Sequence, residues 1–317
     1  MKIERLKYST RKNSKTLRLF DIAELSVYDG PGVRSVVYFQ GCPLQCDWCH
    51  SPQSQPILSP LMFSPQLCML CGRCVEVCEN SVHSIVNGEH LLDRNRCTQC
   101  GDCIRACPSS WEGVRGSALH LPTVITHVDE VYEQVKPYLE LTKESGGVTL
   151  SGGEPMMQLD AALELLKKCK EDGFHTALET SGLMPIEKYR LLLPWVDLWL
   201  WGMRITTGEL PPSKIEIIDR NLTFMVHHKA QILPRIPMIP GVMNSSDVLE
   251  PMIELLSKHD LKMVELNPWN RNYDVNYINS GMALRKQPPS EDEILRASET
   301  IQKRFIQLKF TIDGNTI

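Results

Sequence analysis

Short apolar runs rich in β-branched residues alternate, over most of this chain, with longer stretches whose apolar residues recur at helical spacing. Residues 33–39, Val-Arg-Ser-Val-Val-Tyr-Phe, read as a buried strand, since β-branched and aromatic side chains suit a covered, pleated surface. Residues 128–144 carry apolar positions at helical spacing among many charges, which predicts an amphipathic helix. A strand at 147–151, a helix at 158–171, and strands at 175–179 and 196–204 follow. Beyond them the pattern gives a helix at 215–228, a strand at 232–239, a helix at 247–259, a strand at 261–266, a helix over 290–304 and a late strand at 306–312. This alternation predicts an α/β fold with a parallel sheet and crossover helices. In such folds the loops at the carboxyl ends of the strands carry the chemistry, whether the sheet is a β/α barrel or open and doubly wound.

The rhythm breaks between Pro56 and Pro122, where two cysteine runs replace it. Cys68, Cys71, Cys74 and Cys78 have the spacing C-x2-C-x2-C-x3-C, and Cys97, Cys100, Cys103 and Cys107 repeat it before Pro108. Of the 12 cysteines, all but Cys169 lie between Cys42 and Cys107, a crowding that suits metal clusters better than disulfides in a chain of 317 residues. Zinc sites also use C-x2-C, but zinc closes with four ligands in two pairs and leaves the close third cysteine without a role. The sequence thus divides into residues 1–20, a main domain of 21–55 and 120–317, and an insert of 56–119. Residues 1–20, with Lys2, Arg5, Lys7, Arg11, Lys12, Lys15 and Arg18 against Glu4, read as a solvated basic extension or as a docking arm for an acidic partner. The net charge of −4 gives no footprint for nucleic acid. No apolar run approaches the roughly 20 residues of a membrane span, and no signal-peptide core is present, so a cytoplasmic, reducing and anaerobic setting is expected.

The stretch Gln40-Gly-Cys-Pro-Leu-Gln-Cys-Asp-Trp-Cys-His50 puts Cys42, Cys46 and Cys49 on one tight loop after the first predicted strand. Three thiolates are one short of what a four-iron cubane needs, so one iron is left open to a small molecule. This loop resembles that of the radical S-adenosylmethionine (SAM) superfamily. Asp29-Gly-Pro-Gly32 before it and Cys49-His-Ser-Pro-Gln53 after it resemble the activating enzymes of glycyl-radical enzymes. The resemblance implies a partial barrel of about six βα units. Within it Ser151-Gly152-Gly153-Glu154-Pro155 would bind the amino group of SAM, and Trp48 would lie beside its adenine. Glu179 and Thr180 would stand near SAM and, as in some members, a monovalent cation, while Arg235 would pair with the methionine carboxylate through its planar fork. The doubled cysteine run resembles a bacterial two-cluster ferredoxin. Cys68, Cys71, Cys74 and Cys107 would then hold one [4Fe-4S] cluster, and Cys97, Cys100, Cys103 and Cys78 the other, giving three clusters in all.

What the resemblance implies for activity is reductive cleavage of SAM to methionine and a 5′-deoxyadenosyl radical, which removes hydrogen from a glycine of a partner enzyme. A flavodoxin or ferredoxin would supply electrons through the insert, unless the insert serves docking, and the chain would act as a monomer. Two other readings remain open at this point: a radical SAM enzyme for another peptide or small molecule, and a non-catalytic iron–sulfur carrier. Several positions depart from the family pattern. Gly202-Met-Arg204 stands where an Asp-x-Lys pair is usual, so Arg204 keeps the charge while the carboxylate is gone. Ser51 and Asn267-Pro-Trp-Asn270 also differ, as does the short loop with Pro211-Pro212. Cys169 reads as a buried helix thiol, and the 9 histidines show no zinc spacing.

Overall fold

The computed structural model describes residues 15–110, 117–204, 212–239, 246–267, 273–283, 290–303, 307–312 and 315–316. The expected features at residues 1–14, Pro211, Trp269, Asn270 and Arg304 lie outside these. In chain order the first elements are β1 (Thr16–Ser26), β2 (Arg34–Phe39), β3 (Met62–Phe63), α1 (Arg73–Val77), β4 (His83–Val86), β5 (Glu89–Leu92), α2 (Asp102–Ala106), β6 (Leu119–His120) and β7 (Val124–His127). Then come α3 (Val128–Leu141), β8 (Gly147–Gly152), α4 (Leu159–Glu171), β9 (Thr176–Thr180), α5 (Ile186–Leu192), β10 (Leu198–Gly202) and α6 (Pro212–His227). The last are β11 (Ile232–Pro237), α7 (Ser246–Lys258), β12 (Met263–Asn267), α8 (Tyr273–Ser280), α9 (Glu291–Gln302), β13 (Gln307–Ile312) and β14 (Asn315–Thr316).

One 10-stranded sheet runs in the order β14-β13-β12-β11-β10-β9-β8-β2-β1-β7. From β2 to β13 every neighbouring pair is parallel, and β1, β7 and β14 add antiparallel edges. The mixed α/β architecture with a parallel sheet agrees with the alternation of the sequence. Strand β2 is buried on both faces, as parallel strands covered by helices are. Helix α3 turns Val128, Val131, Tyr132, Val135 and Leu139 inward, and α4 turns in Ala161, Ala162, Leu165, Leu166 and Cys169. Cys169 is therefore a packed core thiol, and burial pushes its pKa up to about 12.

Residues 16–20 correct one expectation. They belong to β1 rather than to a solvated extension, because Leu17 and Leu19 alternate with polar residues and are buried between the sheet and α3. Alternation over so few residues, amid lysines and arginines, is masked by the charge. Helices α5 and α8 and strand β7 also went unpredicted; each is short, and its apolar positions are too few for periodicity to register.

The segment holding the cysteine runs builds little regular structure: two 2-stranded sheets, β3-β6 and β4-β5, with α1 packed near α2. Its buried residues Leu61, Phe63, Cys74, Val82, Cys103, Ile104 and Leu119 form a cluster separate from the main core. A core in which cysteines replace aliphatic side chains is thin, and ligation of metal is the usual compensation in so small a unit.

Candidate active site

Parallel register brings the carboxyl ends of the strands to one edge. Phe39 pairs with Gly152, Thr180 with Trp201, Gly202 with Arg235, and Arg235 with Glu265. The Cys42 loop leaves β2 at this edge and is pinned there. Gly41 N donates to Ser54 O at 2.8 Å, Cys42 N to Gln55 O at 3.0 Å, and Gln55 Nε2 to Cys46 O at 2.9 Å. Gln40, fully buried beneath the loop, donates to Gln53 O at 2.8 Å and Pro56 O at 2.6 Å and accepts from Ser59 Oγ at 3.0 Å. Neither Gln40 nor Ser59 stood out in the sequence, since an amide and a hydroxyl carry no motif.

The Ser151–Pro155 turn is stitched directly to that loop. Gly153 N donates to Phe39 O and Glu154 N to Gly41 O, each at 2.8 Å. A Cβ on Gly153 would lie 2.1 Å from Gly41 O, so only glycine permits this approach. Glu154 is 1% exposed. Its Oε2 accepts from Thr180 Oγ1 at 3.0 Å, Ser181 N at 3.0 Å and Ser181 Oγ at 2.9 Å, while its Oε1 is buried without a hydrogen-bond partner among the described residues. Burial raises the pKa of this carboxyl, with the Ser181 and Thr180 hydrogen bonds working the other way.

Glu179 lies between two guanidinium groups. Arg235 Nη1 is 3.3 Å from its Oε2 and Arg204 Nη2 is 3.6 Å from its Oε1, and Ser151 Oγ donates to Oε2 at 2.6 Å. Burial alone would raise its pKa, but Arg235 and Arg204 outweigh it and hold the carboxyl below its ordinary range. Arg235 is held on its other side by Glu265 Oε2 at 2.7 Å and donates to Tyr28 O. Arg204 also stacks over Trp48, itself buried in the cysteine loop with its indole Nε1 unpartnered among the described residues. Upstream, Asp29 accepts from Ser26 Oγ at 2.7 Å and Tyr38 Oη at 2.9 Å, close to the same charges. The turn after Thr180 is fixed by Asn221 of α6, whose Nδ2 donates to Gly182 O at 2.8 Å and Met184 O at 2.9 Å. Asn221 was invisible to motif reading.

The eight cysteines of the two runs, Cys68 to Cys78 and Cys97 to Cys107, line two cavities. Cys68, Cys71, Cys74 and Cys107 line one, and Cys78, Cys97, Cys100 and Cys103 line the other. The fourth cysteine of each run thus stands at the cavity of the other run. Helix α8 touches both this segment and the Cys42 loop. Arg94 donates to Leu61 O at 2.8 Å and to Asn279 O at 2.9 Å, while Asn276 Nδ2 reaches His50 O at 2.8 Å and Tyr277 Oη reaches Asp47 O at 3.0 Å.

Comparison with known proteins agrees with this chemistry. Residues 67–111 match a 4Fe-4S dicluster domain, and residues 96–190 a 4Fe-4S single cluster domain. The chain is 37% identical over 264 residues to the choline trimethylamine-lyase activating enzyme of Oleidesulfovibrio alaskensis, covering 80% of this chain and 83% of that protein. The chain belongs to the glycyl-radical enzyme activating enzymes. Within that family it is 32% identical over 299 residues to the trans-4-hydroxy-L-proline dehydratase activating enzyme of Clostridioides difficile, covering 90% of this chain and 95% of that one. A solved domain of pyruvate-formate lyase-activating enzyme from Bacteroides vulgatus aligns with a TM-score of 0.42 at 22% identity, over 53% of this chain and 99% of that domain. As an activating enzyme of the radical SAM superfamily, the protein is an oxidoreductase that uses iron–sulfur clusters and SAM and acts on a glycyl-radical enzyme. Among the described residues no helix is long and apolar enough to cross a membrane.

The side chains present fit the cofactors this activity requires. Burial pushes Cys42 up to about 12 and also raises Cys49, so these thiols stay protonated unless a cationic iron takes the proton's place. The partnerless Glu154 Oε1 is an acceptor suited to an ammonium group, and Arg204 is a partly exposed cation suited to a carboxylate.

Proposed function

We propose that Cys42, Cys46 and Cys49 hold the SAM-binding [4Fe-4S] cluster and that residues 56–119 form a ferredoxin-like insert carrying two more, on a partial barrel of residues 21–55 and 120–317. When bound and reduced, the first cluster supplies the electron that splits SAM into methionine and a 5′-deoxyadenosyl radical. The chain's own residues then have distinct tasks. Glu154 accepts from the amino group of SAM, with Thr180 and Ser181 fixing its carboxylate. Gly152 and Gly153 let this turn approach the cysteine loop. Arg204 pairs with the methionine carboxylate and Trp48 shields the adenine side, while Arg235 acts by holding Glu179 in place. Holding both ends of SAM would fix its orientation against the Cys42 loop and exclude water from it.

The observation carrying this reading is the meeting of the cysteine loop with the Glu154 turn through two 2.8 Å backbone hydrogen bonds, with Arg204 stacked on the same loop. The cation expected beside Glu179 has a substitute in the guanidinium groups of Arg204 and Arg235. Electrons enter the insert from a flavodoxin or ferredoxin, and the enzyme acts as a monomer.

The test uses anaerobically reconstituted full-length chain. With SAM and dithionite it should form 5′-deoxyadenosine, and Cys42→Ala, Cys46→Ala and Cys49→Ala should each abolish this while the insert keeps its iron. Purified choline trimethylamine-lyase and trans-4-hydroxy-L-proline dehydratase serve as candidate partners, read by the glycyl-radical EPR signal. Product formation by the cysteine variants would overturn the assignment.

A further inference from the structure

Two histidines between the insert's cavities have no part in the activity described above. His83 on β4 and His90 on β5 flank the turn Asn87-Gly88, whose φ values of 52° and 79° belong to the tight two-residue turn that Asn-Gly favours. That turn fixes the register Ile85↔His90 and His83↔Leu92, which puts both imidazoles on one face of the hairpin. His90 lines the first cavity and His83 the second.

The contacts are close. His90 Nδ1 is 3.5 Å from Cys68 Sγ, and His90 Nε2 is 3.0 Å from His83 Nδ1 and 3.6 Å from Cys74 Sγ. The Phe63 ring packs edge-on against His90 at 4.6 Å between centroids and holds the imidazole in this position. His83 Nε2 is buried and has no partner among the described residues. A neutral imidazole carries one N–H, and a buried N–H without an acceptor costs more than a bare ring nitrogen. The proton of His83 therefore belongs on Nδ1, which donates to His90 Nε2, and the proton of His90 is left on Nδ1, facing Cys68 Sγ. The second cavity offers Cys78 the Val82 amide at 3.4 Å and, among the described residues, no imidazole N–H within reach of a sulfur.

We propose that His90 donates an N–H···S hydrogen bond to the Cys68 thiolate, with His83 fixing its tautomer, and that this makes the cluster of Cys68, Cys71, Cys74 and Cys107 easier to reduce than it would be without the imidazole. Hydrogen bonds to ligand sulfur withdraw charge and favour the reduced cluster, which is how a second shell sets potential. The inference rests on the reading that the insert holds two clusters. Both histidines are positioning residues.

The experiment is an EPR-monitored redox titration of the anaerobically reconstituted full chain, with iron and sulfide analysed in each sample. His90→Phe should lower one insert potential so that the ratio of reduced to oxidised cluster at fixed potential falls about tenfold, which is 59 mV for a one-electron couple. His90→Gln, which returns a side-chain N–H, should recover part of the shift, and His83→Phe should produce a smaller shift of the same sign. Pulsed EPR on the 15N-histidine-labelled reduced protein should show a histidine nitrogen coupling that His90→Phe removes. Unchanged potentials in His90→Phe and His90→Gln with iron retained would overturn the tuning alone. Equal iron in the wild type and in a variant lacking Cys68, Cys71, Cys97 and Cys100 would overturn the two-cluster reading, and the tuning with it.

Discussion

The guanidinium of Arg204, beyond the end of β10, stands 5.2 Å from the centre of the Trp48 ring in the cysteine loop. This contact ties the far side of the site to the Cys42 loop, and Gly202 makes it possible. A Cβ at Gly202 would come within 2.9 Å of Arg204 Nε, so the position without a side chain is the one over which the arginine folds back.

Arg204→Lys should raise the KM for SAM several-fold with kcat nearly kept, because an ammonium keeps the charge but loses planar stacking worth about 1 kcal/mol. Arg204→Ala should raise it by a further order of magnitude, roughly the strength of a charge-assisted hydrogen bond. Both are read from 5′-deoxyadenosine formation at varied SAM with dithionite as reductant.

SAM cleavage should be the same in sodium, potassium and tetramethylammonium buffers of equal ionic strength. Glu179 already has guanidinium partners at 3.3 and 3.6 Å, which leaves little negative potential for a small cation. A marked rate loss in tetramethylammonium would contradict this.

Arg235→Met should destabilise the fold by about 3–5 kcal/mol, since it leaves the Glu179 and Glu265 carboxylates buried without their shared partner. The pH dependence should also change sign. In the wild type the Glu179 pKa is depressed below its ordinary 4.5, so its contribution is present above that value and lost as pH falls through the folded one. In the variant burial dominates and raises it, so stability is lost as pH rises through the raised value. Denaturant unfolding carried from about pH 3, below the ordinary carboxylate range, up to about pH 8 measures both effects.

Arg94→Ala should leave dithionite-driven SAM cleavage intact and slow cleavage driven by reduced flavodoxin. It removes the bond from Arg94 to Asn279 O of α8, and the one to Leu61 O within the same segment, while α8 keeps its own to His50 O and Asp47 O. Equal losses with both reductants would show that Arg94 serves folding rather than electron delivery.

Much of this could be read from the chain alone where chemistry depends on residue type at short spacing. The Cys42 loop, the doubled cysteine run and the Ser151–Pro155 turn are local, so their residue types and spacing stand out without any tertiary contact. Strands such as β2 and helices such as α3 were legible because their burial follows a regular period. The burial of Leu17 and Leu19 was not, because flanking lysines and arginines obscure a two-residue alternation. Gln40, Ser59 and Asn221 were missed because their role lies in geometry with partners far along the chain.

The sequence by itself determined which cysteine runs and turns exist and that the Cys42 loop and the Ser151–Pro155 turn follow strands of a parallel α/β fold, since residue spacing and hydrophobic period are properties of neighbouring residues. Only the tertiary structure decided which carboxylate faces which guanidinium, that Arg235 is taken up by Glu265 and Glu179, and that His90 lies against Cys68. Those pairings arise from strand register and loop closure, which bring together residues that no local pattern relates.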